Sequence, residues 1–431
     1  MFFFILVYLV LVLIRPQDYP ALADNPGPPL QSIALVLAAG LFAMSARKSF
    51  SAPQYLLIPI FLLVAMISKV VNGWMGGALF VFAIFAPVLM AYILLANATF
   101  TRERMQIVMA VFAICATVLA VHGIEQAQTG IGWTGVELSQ GTRIQYVGIF
   151  NDPNDLGMLF VMCLPMAFYL SNRGGLMGLK RLFWWVVMGL LLWGCYLTNS
   201  RGTLLALVAM LGVYVWQKRG IFTAGLLAAG ALTGLMMLPS RMQEMDVSEA
   251  SAMGRVESWY EGIQMFIGSP IFGIGAGGYS DLHELTAHNS FVLVLAETGI
   301  VGFTIWLAIV GYSFRMMMAI LKRGDDIIDD VPLEVPDAVA LADWKRDRAL
   351  TLTFLMSLTG FFTAAFFLSR SYVIILYLLV ALVVAHYTRM RQTYASLPEF
   401  TLTKDLIRWP IVSVIGVIGL YLTVKVLLAL A

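Results

Sequence analysis

Charge is scarce in this 431-residue sequence. Asp, Glu, Lys and Arg make up 12% of the residues, whereas a soluble globular domain carries roughly a quarter. Hydrophobic residues make up 60%, which exceeds the usual share of under about half. This composition excludes an ordinary soluble domain and indicates an integral membrane protein.

Cysteine is also rare, and phosphate-binding motifs are absent. Cys115, Cys163 and Cys195 lie in apolar segments without metal-ligand spacing or a disulfide framework, so we interpret them as apolar filling. No GxxxxGK[ST] loop occurs, which argues against ATP-driven transport by this chain alone. We expect no metal, no other cofactor and no nucleic-acid partner.

Apolar runs of about 20 residues, separated by short polar links, indicate membrane-spanning helices. No basic residue precedes the first run, so we expect a retained membrane helix there and not a cleaved signal. We count thirteen spans. Because the first apolar run is short and the tenth is long, twelve spans is the alternative. The thirteen predicted spans lie near 1–14, 30–46, 53–71, 76–96, 105–122, 155–171, 182–198, 202–217, 221–239, 289–320, 349–368, 371–388 and 409–430.

The basic residues predict the orientation of these spans. If the N-terminus is cytoplasmic, most of the 27 Lys and Arg residues fall in inside links, as the positive-inside rule requires. Loops 123–154 and 240–288 then lie outside. The eight basic residues left over are Arg15, Lys69, Arg143, Arg201, Arg241, Arg255, Arg370 and Lys425.

We therefore predict an all-α integral membrane fold with about 12–13 transmembrane helices and one large outer loop. Residues 1–239 form the N-terminal membrane helices, 240–288 the loop, and 289–431 the C-terminal membrane helices of one membrane domain.

Within the loop, Glu257–Gly268 has Trp259 and Ile263 on one side and charges on the other. We expect a short amphipathic helix there, lying in the membrane interface.

Three outer residues stand out because cations are scarce on that face. Arg201 lies in the turn TNSRGTLL, Arg255 lies in the large loop, and His288 ends that loop just before a span. An arginine at the membrane interface can extend its side chain to lipid phosphates without any other role. If Arg201 is considered by itself, that interpretation stays open. Three such residues on one face favour a shared site.

Two further segments carry polar residues near this face. The sequence NDPND, with Asp152, Asn154 and Asp155, precedes the sixth span, where Asp, Asn and Pro are typical of a helix start. A substrate contact is the alternative, and a divalent-ion site is disfavoured because no further ligand lies nearby in sequence. Glu297 lies inside a span, where a carboxylate usually marks a buried partner or a pathway.

Several segments together resemble the O-antigen ligase and polymerase superfamily. The resemblance covers about residues 145–305, and the segments occur in the expected order and on the expected side. The matching stretches are NDPNDLG, TNSRGTLLAL, GRVESWYEGIQMFIGSPIFGIGAGGY and AHNSFVLVLAETGIVGF, and RPQDYP at Arg15–Pro20 resembles the first outer loop of the family.

The resemblance implies an enzyme that moves a glycan from undecaprenyl pyrophosphate to an acceptor hydroxyl at the periplasmic face of the bacterial inner membrane. It implies that Arg201 and Arg255 bind the pyrophosphate and that His288 acts as the base. We add five possible supporting residues: Asp152, Asn154, Asn289, Glu297 and Arg143. An O-antigen ligase that uses lipid A-core as acceptor is favoured, because the large loop comes late and ends in His-Asn.

Two alternatives within the superfamily are an O-antigen polymerase and a protein O-oligosaccharyltransferase. They share the donor chemistry and differ in the acceptor. Outside the class, a polysaccharide-lipid flippase or transporter is the alternative, because such proteins place ionisable residues near the membrane midplane. This alternative is supported by three ionisable residues within predicted spans, namely Lys69, Glu297 and Lys425.

Overall fold

The computed structural model describes residues 1–22, 27–172, 178–236, 245–330 and 336–430. Helices dominate these ranges, and the only strand-like features in them are two isolated bridges between residues 131 and 143. The helices are α1 Phe2–Ile14, α2 Leu30–Ala43, α3 Gln54–Val71, α4 Met75–Ala98, α5 Arg102–Thr129, α6 Pro153–Ser171, α7 Leu179–Leu197, α8 Arg201–Arg219, α9 Ile221–Met236, α10 Met245–Gly268, α11 Tyr279–Leu282, α12 Ser290–Leu321, α13 Asp337–Ala365, α14 Ile374–Thr393 and α15 Arg408–Leu430.

The predicted all-α membrane fold is confirmed. Each of the thirteen predicted spans overlaps a helix, namely α1 to α9 and α12 to α15. Within the described ranges, eight helices are long and apolar enough to cross a membrane: α3 to α6 and α12 to α15. Leu30–Ala43 and Ile221–Ala231 are shorter apolar helices, so the count of twelve or thirteen spans stays a prediction. The predicted residue Arg241 lies outside the described ranges.

The burial pattern separates central helices from peripheral ones. Almost every residue of α6 is buried, as is the whole stretch Ile375–Tyr387 of α14, so these two helices form the centre of the bundle. By contrast, α15 has a long row of exposed apolar residues. An apolar surface of that length suits lipid and not water. The site described below lies at the first end of α6, which is buried along almost its whole length.

Helix α10 differs from the predicted short interfacial helix. It begins at Met245 and not near Glu257, and its apolar face packs on protein. Trp259 and Ile263 are buried against residues of α12 and α15, including Val292 and Val424. The amphipathic pattern is confirmed for Trp259 and Ile263, which the helical bundle covers, whereas Ile267 near the end of α10 is 56% exposed. The position of this helix in the membrane interface stays a prediction.

A break in α12 accommodates the glycine-rich loop that precedes it. Gly299 has φ 64°, which interrupts the helix. The loop fills the gap: the amides of Ile274 and Gly275 donate to the carbonyls of Ala296 and Glu297 at 3.0 Å, and the amide of Ile300 donates to Pro270 at 2.8 Å. Backbone groups at membrane depth need such internal partners, because lipid offers none.

The same loop is also fixed to α3. The amide of Ala276 donates to the hydroxyl of Ser68 at 3.0 Å, and the side chain of Asn72 donates to the carbonyl of Gly273 at 2.9 Å. Gly273, Gly275 and Gly277 all have positive φ, a backbone region that glycine enters without steric cost. The loop is therefore fixed between α3 and α12.

We expect Gly299→Ala to destabilise the protein, because a Cβ there would collide with the carbonyl of Ile271 and φ would stay positive. The backbone strain alone costs about 1–3 kcal/mol, so the melting temperature of the purified protein should fall by several degrees. Gly212→Ala in α8 is the matched control, since its Cβ would meet open space. Equal melting temperatures for both variants would contradict this account of the break.

Candidate functional site

The starts of α6 and α8 are linked by one amide side chain. Asp152 caps α6 by accepting from the backbone of Asn154 at 2.7 Å, and Ser200 caps α8 by accepting from Thr203 at 3.2 Å. The hydroxyl of Ser200 donates to Oδ1 of Asn154 at 2.6 Å. The predicted capping role of the NDPND segment is thereby confirmed, and Arg201 becomes the first residue of α8, next to this link.

Arg143 and the RPQDYP stretch support the same region from the loops. Arg143 donates to Oδ1 of Asn154 and to the carbonyl of Thr198, both at 3.0 Å. Arg15 and Asp18 form an ion pair that packs against Gly148, just before α6. These contacts hold the segment leading to α6 against the turn that leads to α8.

A buried ion pair joins α6 to the link between α13 and α14. Both carboxylate oxygens of Asp155, whose side chain is 1% exposed, accept from the guanidinium of Arg370. The backbone amide of Arg370 donates to the hydroxyl of Ser290 at 2.9 Å. Asp155 therefore orients the side chain of Arg370. The hydrogen bond from Arg370 to Ser290 holds the link between α13 and α14 at the start of α12.

His288 lies at this junction in an unusual backbone conformation. Its φ is 45°, a region that few residues other than glycine, Asn, Asp and His enter. The neighbours on both sides, Ala287 and Asn289, are fully buried. Asn289 caps α12 through the amides of Phe291 and Val292 at 2.9 and 3.1 Å. The conformation thus anchors the chain on both sides while the imidazole stays partly accessible.

The electrostatic couplings show which charges surround His288. Burial, then the nearby Arg255, lower its pKa; Asp152 raises it, and Arg370 lowers it further. Burial also lowers the pKa of Arg255, with Asp152 opposing and Arg201 adding to the effect. Three arginines, Arg201, Arg255 and Arg370, therefore share one region with two carboxylates, Asp152 and the Asp155 that pairs with Arg370. An excess of positive charge of this kind favours an anion.

Glu297 is not part of this cluster. It lies seven residues beyond Ser290, about 10 Å along α12 at the helical rise, and its Oε1 accepts from the amide of Tyr279 at 3.3 Å. Nearby, Lys69 stacks over the ring of Trp74 at 4.8 Å. These contacts hold the glycine-rich loop in place, so the structure gives Glu297 a supporting position below the site.

Arg370 is the residue that sequence reasoning missed. It appeared among the eight outer basic residues but was not selected, since no motif contains it. The scarcity of outer cations, which directed attention to Arg201 and Arg255, applied to Arg370 equally.

Asp155 was considered as a metal ligand, but both of its oxygens face Arg370. Among the described residues, no group of three His, Cys, Asp or Glu is placed to hold a metal ion.

The fold defines a class: a multi-pass helical membrane protein, here with a cluster of cations at the ends of its helices. Residues 186–307 match the family model described as O-antigen ligase. The match confirms the resemblance to that superfamily and supports an enzyme of the O-antigen ligase and polymerase type, a membrane glycosyltransferase. It includes Arg201, Arg255 and His288, whereas Arg370 lies outside it. No curated protein matches the chain.

We expect Arg370→Gln to lower the free energy of unfolding by about 3 kcal/mol, because it leaves the carboxylate of Asp155 buried without its cation. The double variant Asp155→Asn with Arg370→Gln removes that charge and should recover part of the loss. Melting of the purified protein measures both. Arg346→Gln, in the exposed pair with Asp343, is the control and should cost under about 1 kcal/mol. A double variant less stable than the single one would refute the role of the pair.

Proposed function

We propose that this protein is an O-antigen ligase-type enzyme of the bacterial inner membrane. It transfers a polysaccharide from undecaprenyl pyrophosphate to a hydroxyl of the lipid A-core, at the periplasmic face and without a metal. The observation that carries the proposal is the convergence of Arg201, Arg255 and His288. Each comes from a different segment of the matched region, and the couplings at Arg255 and His288 link all three.

The cations supply what the leaving group needs. When the bond between the anomeric carbon and the pyrophosphate oxygen breaks, the electron pair stays on the pyrophosphate, and negative charge builds up there. Guanidinium groups donate paired hydrogen bonds to phosphate oxygens, and Arg201 and Arg255 are the donors. Removal of one such preorganised donor costs on the order of 3 kcal/mol in comparable sites. No general acid is required, because pyrophosphate leaves as an anion.

His288 supplies the base. An acceptor hydroxyl attacks the anomeric carbon from the face opposite the pyrophosphate while the imidazole takes its proton. The new glycosidic bond forms as the old bond breaks, so a single displacement inverts the anomeric configuration. Burial and the neighbouring Arg255 favour the neutral imidazole by lowering its pKa, and a base must be unprotonated before it reacts.

The alternatives differ in acceptor or in class. A polymerase or a protein O-oligosaccharyltransferase would use the same donor site. A strain that lacks the gene separates ligase from polymerase, since lipid-linked polymer accumulates in the first case and single-repeat products appear in the second. A flippase is less well supported, because Lys69 and Glu297 make local contacts with Trp74 and Tyr279 that hold a loop.

Replacement of His288 tests the proposal directly. We expect His288→Ala and His288→Asn to lower transfer at least about 100-fold, as loss of a general base does, with normal amounts of protein in the membrane. Asn tolerates the left-handed backbone, so it separates the chemistry from the fold. His283→Ala is the control, because the ring contacts of His283 are with Leu285 and Tyr279. Near-normal glycan transfer by His288→Asn would exclude His288 as the base.

The pH dependence gives a second test. Activity requires the neutral imidazole, so it is full above the pKa of His288 and falls as the pH drops through it. We expect the acid limb of kcat/KM, which reports the free enzyme, to lie below the ordinary value of 6.5. Arg255→Gln should move the limb to higher pH, and Asp152→Asn should move it to lower pH. Limbs that do not move, or that move together, would argue against His288 as the titrating group.

A further inference from the structure

A cavity lies at the opposite ends of α6, α7 and α8 from the candidate site. It has a volume of about 1110 Å³ and is lined by the second ends of α6 and α8, the first end of α7, residues 345–356 in the middle of α13, and one residue of α5. The 19-residue helix α6 separates the two regions by about 28 Å, close to the thickness of the hydrocarbon core. In the proposed orientation this cavity faces the cytoplasm.

The rim of this cavity is strongly cationic. Lys180, Lys218, Lys345 and Arg346 line it, and no Asp or Glu is among its lining residues. All four are exposed. In the described part of the chain, none of the three lysines has a carboxylate within ion-pair distance, and Arg346 has one exposed partner, Asp343, at 3.4 Å. Such a set leaves positive charge uncompensated in one place.

The walls below the rim are apolar and aromatic. Phe168 and Tyr214 meet edge to face at 5.9 Å between ring centroids, and Trp184 and Met356 line the wall beside them. The outer face of α7 continues this surface, where Trp185 is 52% exposed. Tryptophan is typical of the headgroup level of a membrane. The cations therefore lie at the level of the lipid phosphates, next to an apolar wall that suits acyl chains.

We propose that this cavity binds the phosphate headgroup of an anionic phospholipid, with the acyl chains against its apolar wall. Lysines on flexible stems can surround a phosphodiester from several helix ends, and basic pockets between membrane helices suit such headgroups. A soluble phosphate would satisfy the cations but not the apolar wall. The proposal assigns a ligand that the transfer reaction does not require, so it stands apart from the proposed function.

Lipid binding by the purified full-length protein tests this assignment. Native mass spectrometry in detergent would count bound phosphatidylglycerol and phosphatidylcholine for the wild type and for the triple variant Lys180→Gln, Lys218→Gln, Lys345→Gln. Each cation near a membrane surface contributes about fivefold in affinity for anionic lipid, so phosphatidylglycerol binding should weaken roughly 100-fold. The charge-matched control is Lys48→Gln, Lys322→Gln, Lys404→Gln, which changes lysines outside the cavity and should bind within about threefold of the wild type.

A second measurement locates the lipid without relying on the lysines. Phosphatidylglycerol brominated in its acyl chains should quench less fluorescence in Trp184→Phe than in the wild type, because one quenched indole is missing. Equal phosphatidylglycerol affinity in both triple variants, or equal quenching with and without Trp184, would overturn the site. Full displacement of the lipid by millimolar inorganic pyrophosphate would overturn the lipid as ligand and identify a soluble phosphate site.

Discussion

The buried pair of Asp155 and Arg370 is the constraint on which the candidate site depends. A carboxylate that is 1% exposed must have a cation, and the one it has comes from the link between α13 and α14. That link in turn holds Ser290, next to the cap of α12 and to His288. One electrostatic requirement therefore fixes three segments, far apart in sequence, around the same point. The side chains at this junction that stay at least partly accessible include the guanidiniums of Arg201 and Arg255 and the imidazole of His288.

Much of the fold could be predicted because membrane helices are encoded locally. Long apolar runs identified the helices, scarce outer cations identified Arg201 and Arg255, and Asp152 marked the start of α6 by its capping chemistry. The same scarcity applied to Arg370, but no local motif shows its role, because that role comes from Asp155, 215 residues away. The surface that α10 packs against could not be predicted either. An apolar face on a helix indicates that the face is buried, but it does not indicate which surface buries it.

The two ends of the molecule are charged for different reasons. At the candidate site Arg255 and Arg370 are partly buried, Arg201 is exposed at the start of α8, and Arg370 is oriented by its ion pair with Asp155. At the opposite cavity the cations are flexible, exposed lysines above an aromatic wall. Oriented guanidiniums suit the stabilisation of charge that forms at one defined atom. Mobile ammonium groups suit a headgroup that needs to be held but not transformed.

The break at Gly299 makes one helix depend on a segment outside it. The carbonyls of Ala296 and Glu297 accept from the amides of Ile274 and Gly275, and the amide of Ile300 donates to the carbonyl of Pro270. An α-helix ordinarily closes such bonds within itself, but here the partners come from residues that precede the helix in the chain. The half-helix that starts beside His288 is therefore complete only when the 270–275 segment is in place.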